Sequence, residues 1–224
     1  MQYIIDSWDL PSVPVAGGAR PFPVRHIYCV GRNYAEHAKE LGNEAPSEPI
    51  IFLKPPSALL AHEGKIVRPP QSQRVDFEGE LAMVIGKRAR NVKADRWRDF
   101  VRGFTCANDV TARDIQKKDV QFTRGKGFDT FCPVGPMVST DLDPWAGVAV
   151  ETRVNGEVRQ QGNTRDFIFP LDVLIRHIAQ AMTLFPGDLI PTGTPSGVGP
   201  LKAGDNVEVT VEGVGTLSNP VADE

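Results

Sequence analysis

The chain has 224 residues, 41% of them hydrophobic and 24% charged, with a formal net charge of −3. That is enough chain for a sizeable core. It carries no basic footprint for nucleic acid or an anionic membrane, no stretch approaching a membrane span, and no basic-then-apolar leader in Met1–Asp6. Cys29, Cys106 and Cys132 are odd in number, far apart and set among apolar residues. They predict reduced, buried thiols in a cytoplasmic protein, with neither a disulfide framework nor zinc spacing.

Leu10 to Val24 holds four prolines and two glycines, so residues 1–24 read as an extended arm and 25–224 as one domain. His26–Val30 follows as a strand ending at Gly31. Asn33 is placed to cap a helix over Tyr34–Leu41, with Glu36 completing a capping box and Gly42 as its stop. That helix is too short to stand alone in water, so packing or a ligand must order it, which suits a lid. Tyr34, Ala38 and Leu41 form its apolar stripe, while His37 and Glu40, at i and i+3, are neighbours on another face.

Ile50–Leu53 is a further strand, closed by Lys54-Pro55-Pro56. Ala94–Val101 reads as a helix with Ala94, Trp97 and Val101 on one face and Gly103 as its stop. Phe104–Ala107 returns as a strand that delivers Asn108-Asp109. Thr111 and Asp114 resemble a second capping box, opening a turn with Arg113 and Gln116 on one face. Gly125-Lys126-Gly127 reads as a flexible loop. Val148–Val158 is a hairpin about Asn155-Gly156, the favoured type I′ pair. Pro170 opens the clearest helix, with Leu171, Leu174, Ile175, Ile178 and Met182 on one face. Pro186-Gly187-Asp188 and Ala203-Gly204-Asp205 mark turns into strands, and Thr192–Pro200 is a Gly/Pro-rich loop. The pattern is strand-dominated with a few short helices, hence α+β in one domain.

The chemistry concentrates first in Val75-Asp76-Phe77-Glu78-Gly79-Glu80, which runs into the apolar strand Leu81–Ile85. On a strand Asp76, Glu78 and Glu80 share a face. Carboxylates two residues apart, about 6–7 Å, repel by about 2–3 kcal/mol at an effective dielectric of about 20. A strand entering a core needs a cation or an arginine to carry that. Glu78 and Glu80 are therefore either half of an oxygen-ligated site for Mg²⁺, Mn²⁺ or Ca²⁺ or the acids of a solvated edge. Three further features share this ambiguity. Asp109 can ligate a metal or cap a turn, Lys126 can stabilise an oxyanion or face solvent, and His37 with Glu40 can activate water or form a helix-face ion pair. Thr192–Gly197 lacks the lysine and the strand–helix setting of a phosphate loop.

Five motifs in order then resemble the fumarylacetoacetate hydrolase family. They are Gly31-Arg32-Asn33-Tyr34 with His37, Phe77-Glu78-Gly79-Glu80-Leu81, Asn108-Asp109-Val110-Thr111-Ala112-Arg113-Asp114-Ile115-Gln116, Gly125-Lys126-Gly127-Phe128 and Thr192-Gly193-Thr194-Pro195. The likeness spans nearly everything from His26 onward. It implies a mixed β-roll with peripheral helices, assembled as a homodimer. Carried over residue by residue, it implies Glu78, Glu80 and Asp109 as Mg²⁺ ligands, His37 and Glu40 as a water-activating dyad on the lid helix, and Lys126 as the group facing the enolate. Arg113, Gln116 and Thr192 would hold the keto-acid end of the substrate; Asp76 shares the face but stays outside the metal set. Within the family, the arm and the Arg25–Tyr34 segment look most like the fumarylpyruvate hydrolases of gentisate catabolism. The activity implied is Mg²⁺-dependent hydrolysis of a carbon–carbon bond in an acylpyruvate. Oxaloacetate decarboxylation, isomerisation or hydration of unsaturated keto-diacids, and a non-catalytic metal- or carboxylate-binding role stand as alternatives.

Overall fold

The run Leu81–Ile85 is apolar at every position because its strand is covered on both faces. In the computed structural model, which describes residues 11–15, 20–40, 42, 44–140 and 142–224, Gly79–Ile85 lies at the centre of a seven-stranded mixed sheet. Its order is Ile50–Lys54, Ile27–Gly31, Leu189–Pro191, Gly79–Ile85, Val101–Asn108, Cys132–Ser139, Leu59–Ala61. Most neighbours run antiparallel, but Leu189–Pro191 pairs parallel with Ile27–Gly31, and Cys132–Ser139 with Leu59–Ala61. The period of two sorts the side chains. Leu81, Met83 and Ile85 pack with Leu174, Ile178, Val209 and Leu217, whereas Ala82 and Val84 pack with Cys29, Ala107 and Val134.

A second sheet of five strands, ordered Glu157–Asn163, Ala149–Val154, Asn206–Val211, Gly215–Asp223, Ile66–Arg68, covers one side. The hairpin that opens it turns at Asn155 and Gly156, with φ of 54° and 81°, as the type I′ reading requires. A third, short sheet joins Thr111–Ala112, Val75–Phe77 and Gly199–Pro200. The architecture is thus the strand-dominated α+β arrangement expected.

The helices are α1 (Ala35–Glu40), α2 (Arg113–Lys118), α3 (Thr123–Lys126) and α4 (Leu171–Ala181). In α4 the expected stripe is buried through Leu171, Leu174, Ile175 and Ile178, and Met182, just past its end, packs against the same cluster. Each such side chain contributes about 1.5–3 kcal/mol on burial. In α1, Tyr34 and Ala38 are buried as expected; Leu41 lies outside the described residues. Gly42 closes the helix at φ 72°, donating its N–H to Lys39 O.

Local expectations fail in four places. Ala94–Phe100 is a 3₁₀ helix, and Val101 already begins the next strand. Gly103 sits inside that strand, where a Cβ would come within 2.2 Å of Ser139 O, so close approach rather than a helix stop explains it. Gly125-Lys126 belongs to α3 instead of a loop, and a Cβ on Gly125 would crowd the backbone of Gln116 in α2. Neither capping box forms. Thr111 is in a strand and gives its hydroxyl to Asp109 O, while the Asp114 carboxylate accepts from Ser72 Oγ and Gln73 N. Asn33 is claimed by a distant loop, described below. The described part of the arm is extended but pinned: Ser12–Val13 pairs with Phe22–Pro23, and Val13 and Val24 enter the core.

Candidate functional site

Glu78 is the break between the short third sheet and the central strand, and this position brings three carboxylates together. The Glu78 N–H donates to Asn108 Oδ1 at 2.9 Å, and the Asp109 N–H donates to Glu78 O at 2.8 Å. Gly79 is the register partner of Asn108 and donates its N–H to Gln160 Oε1. A Cβ on Gly79 would fall 2.0 Å from Thr152 Oγ1, so no larger residue fits between the two glutamates. The result is a buried cluster of Glu78, Glu80 and Asp109 whose ligand oxygens all lie within 4.8 Å of one another.

Each acid has a different electrostatic setting. Burial alone would raise the pKa of Glu78, but Lys126, Arg113 and His37 hold it well below the usual carboxylate range. Lys126 Nζ donates to Glu78 Oε2 at 2.9 Å and to Asp109 Oδ2 at 2.6 Å, and Arg113 Nη2 donates to Glu78 Oε1 at 2.5 Å. For Glu80, burial, Asp109 and Glu78 all push the pKa up, opposed chiefly by a 2.8 Å hydrogen bond from the Gly193 N–H. The two basic groups would lose their protons more readily for being buried. The acids outweigh that, raising both Lys126 and Arg113. Asp76 takes no place in the carboxylate cluster. It accepts from Arg74 Nε and Nη2 and from Arg113 Nε, so it aims Arg113 at Glu78.

Lys54, behind the acid cluster, is a contact of the site that the sequence reading missed. Fully buried, its ammonium donates to Val110 O at 3.0 Å, Lys126 O at 2.6 Å and Phe131 O at 2.8 Å. Those bonds spend its three N–H groups. Asp109 Oδ1, 2.7 Å away, therefore feels the charge without receiving a hydrogen bond, and is a buried oxygen with no donor. A three-carboxylate, all-oxygen set with such an oxygen fits a hard divalent cation. The available signal was strand alternation, which puts Lys54 on the face of Phe52, itself a pocket residue. Asn108 and Gln160, which fix the backbone of Glu78 and Gly79, gave no such signal.

The expected dyad is assembled on α1. His37 Nδ1 lies 3.3 Å from Glu40 Oε2, and the same carboxylate accepts the Gly197 N–H at 3.0 and 3.2 Å. The base of the helix is fixed by Asn33, whose Nδ2 donates to Phe169 O and Thr192 O while its Oδ1 accepts from Phe169 N. A pocket of about 480 Å³ connects these parts, lined by His37, Glu40, Glu78, Glu80, Asp109, Arg113, Gln116 and Lys126. Gln116 lies against Arg113, accepting from Nη1 at 2.7 Å. Thr192 stands behind the wall: its hydroxyl and its N–H both donate to Leu81 O. Thr194 lines the pocket at that point, held by Gly79 O and Gln160 Nε2.

The cysteines lie in the core and take no part in the pocket lining. Burial pushes the Cys106 and Cys132 thiols up to about 12 and raises Cys29 well above its ordinary value. Among the described residues no helix is long and apolar enough to cross a membrane.

Residues 26–222 match the fumarylacetoacetate (FAA) hydrolase C-terminal family. Among curated proteins, the oxaloacetate tautomerase YisK of Bacillus subtilis is 44% identical over 214 residues, covering 90% of this chain and 71% of that protein. Among solved structures, fumarylpyruvate hydrolase from Pseudomonas aeruginosa, in complex with Mn²⁺ and pyruvate, superposes with a TM-score of 0.94 over the whole of both chains at 31% identity. The 5-carboxymethyl-2-hydroxymuconate delta-isomerase from Mycobacterium smegmatis gives a TM-score of 0.85 at 47% identity, covering 91% of this chain and 79% of its own.

Proposed function

The chain belongs to the fumarylacetoacetate hydrolase family, and from that premise we propose that it hydrolyses the carbon–carbon bond of an acylpyruvate, fumarylpyruvate foremost, to fumarate and pyruvate. The observation that carries this reading is the His37–Glu40 pair facing the same pocket as the buried acidic triad. Hydrolysis needs an activated water as well as an electrophile, and the two sets of groups supply both needs side by side. The small keto-acid substrate and the pairing of two chains expected from the sequence belong to the same proposal.

Glu78, Glu80 and Asp109 would hold a divalent ion, Mg²⁺ or alternatively Mn²⁺ or Ca²⁺, which when bound supplies Lewis-acid polarisation of the keto-acid oxygens. Everything else falls to side chains. Four acids (Asp76, Glu78, Glu80, Asp109) are interleaved with four bases (Lys54, Arg74, Arg113, Lys126). With its own charges matched, this buried network by itself offers no net attraction to an anionic substrate, and a bound cation would supply it. Glu40, anchored by the Gly197 N–H, orients His37 through Nδ1 and leaves Nε2 to accept a proton from water. The hydroxide equivalent attacks the distal acyl carbonyl. The bond from that carbon to C3 of the pyruvyl unit then breaks, its electron pair passes to the pyruvate enolate, and a proton returned to C3 completes pyruvate. Lys126 would offset the enolate charge.

A second reading, oxaloacetate tautomerisation, is favoured by the similarity to YisK. It moves a proton between C3 and the keto oxygen and consumes no water. Assays of the Mg²⁺-loaded protein on fumarylpyruvate cleavage, decay of enol-oxaloacetate and CO₂ release separate the two. We expect cleavage of fumarylpyruvate, reduced about 10²–10⁴-fold in His37→Ala as a general base is lost. Intact fumarylpyruvate alongside rapid enol decay would replace the hydrolase by the tautomerase.

A further inference from the structure

We infer that Arg32 forms a second anion subsite in this pocket, which takes the distal carboxylate of a dianionic keto acid, with Lys117 at its rim. The inference deepens the keto-acid reading above and rests on it. Its basis is the commitment of every other cation in the lining. Arg113 is bound to Asp76 and Glu78, Lys126 to Glu78 and Asp109, and Arg74 to Asp76. Arg32 and Lys117 also line the pocket, yet among the described residues neither is found in an ion pair, and the Arg32 guanidinium has no hydrogen-bond partner. Lys117 is exposed, whereas Arg32 is half-buried in the lining with its guanidinium nitrogens still open to solvent and so to a ligand.

The backbone at this point is built to hold the side chain there. Arg32 has φ 58°, a left-handed conformation that is uncommon outside glycine and tends to mark functional positions. Both flanks are fixed. Gly31 is in register with Ile50, and the Asn33 amide is clamped on Phe169 and Thr192. The residue is therefore locked between the end of a strand and the start of the lid helix, five positions ahead of His37. A substrate with one carboxylate would use it on a cation held by the triad and leave Arg32 unpaired. One with two carboxylates would satisfy both, and the planar guanidinium can take the second in a bidentate fork.

The test compares fumarylpyruvate, which carries a distal carboxylate, with acetylpyruvate, which ends in a methyl group, in wild type, Arg32→Met and Arg32→Lys. Losing a charge-assisted pair should raise KM for fumarylpyruvate about 10–100-fold in Arg32→Met with kcat changed by less than about threefold. The loss should be confined to that substrate and be partly restored in Arg32→Lys. Equal losses on both substrates, or none on either, would overturn the subsite. Calorimetric titration of the Mg²⁺-loaded protein with pyruvate and with 2-oxoglutarate gives a readout free of turnover. A preference for the dianion that Arg32→Met abolishes supports the subsite even if neither acylpyruvate is cleaved, in which case only the hydrolase reading falls. No preference in the wild type overturns it.

Discussion

Replacing Lys54 by Met removes one ammonium while keeping nearly the same side-chain volume, so the change tests charge and hydrogen bonding with little cavity effect. Three carbonyls, Val110 O, Lys126 O and Phe131 O, lose their shared donor inside the core, and Asp109 Oδ1 loses the cation 2.7 Å away. Each unsatisfied buried acceptor costs about 1–3 kcal/mol. Relief of the lysine's own desolvation offsets part of this, which brings the expectation to about 3–5 kcal/mol, the usual result of breaking a buried ionic network from one side. Against a total stability of about 5–15 kcal/mol this is a large fraction. At about 2–4 °C per kcal/mol for a chain of this size, Tm should fall by about 6–20 °C. Urea unfolding without added metal, read as a shift in midpoint at constant m, is the assay. If Lys54→Met still folds, its Mg²⁺ affinity should also drop about 10–100-fold, because Lys54 holds Asp109 and the Lys126 backbone in place. A stability loss under about 1 kcal/mol would refute the idea that this ammonium carries the three carbonyls.

Two further outcomes follow from the same geometry. Saturating Mg²⁺, at about 100 times its Kd, should stabilise the wild type by about 2.7 kcal/mol. Glu80→Gln or Asp109→Asn should abolish that metal-induced Tm shift, and EDTA should remove activity that Mg²⁺ or Mn²⁺ restores; a metal shift surviving in both variants would contradict the triad. The three thiols should resist Ellman's reagent in the folded protein at pH 8, since a pKa of about 12 leaves about one thiolate in 10⁴ at Cys106 and Cys132 and burial blocks access. Rapid reaction of any of them before unfolding would show that the core opens.

Residue pattern alone was sufficient wherever one strand or helix decides its own environment. The Asn155-Gly156 turn and the apolar stripe of α4 needed only local backbone and periodicity rules, and the ordered motifs pointed to Glu78, Glu80, Asp109, His37 and Glu40. What pattern could not supply was competition for partners. Asn33 and Thr111 have ideal capping chemistry, yet the Asn33 Oδ1 accepts from the Phe169 N–H instead of a helix end, and the Thr111 hydroxyl donates to Asp109 O from within a strand. Nor does alternation along one strand show that Asp76 belongs to the arginines rather than to the carboxylate cluster, because Arg74 and Arg113 reach it from neighbouring elements. Lys54 is the plainest case. By type it belongs on the surface, and only the convergence of three backbone carbonyls with Asp109, from segments far apart in the chain, gives a buried ammonium its partners. The residue types and their order singled out the groups proposed to carry the chemistry. The tertiary structure decided which charges neutralise one another and which, Arg32 foremost, are left facing the pocket, since that depends on distances between segments far apart in the chain.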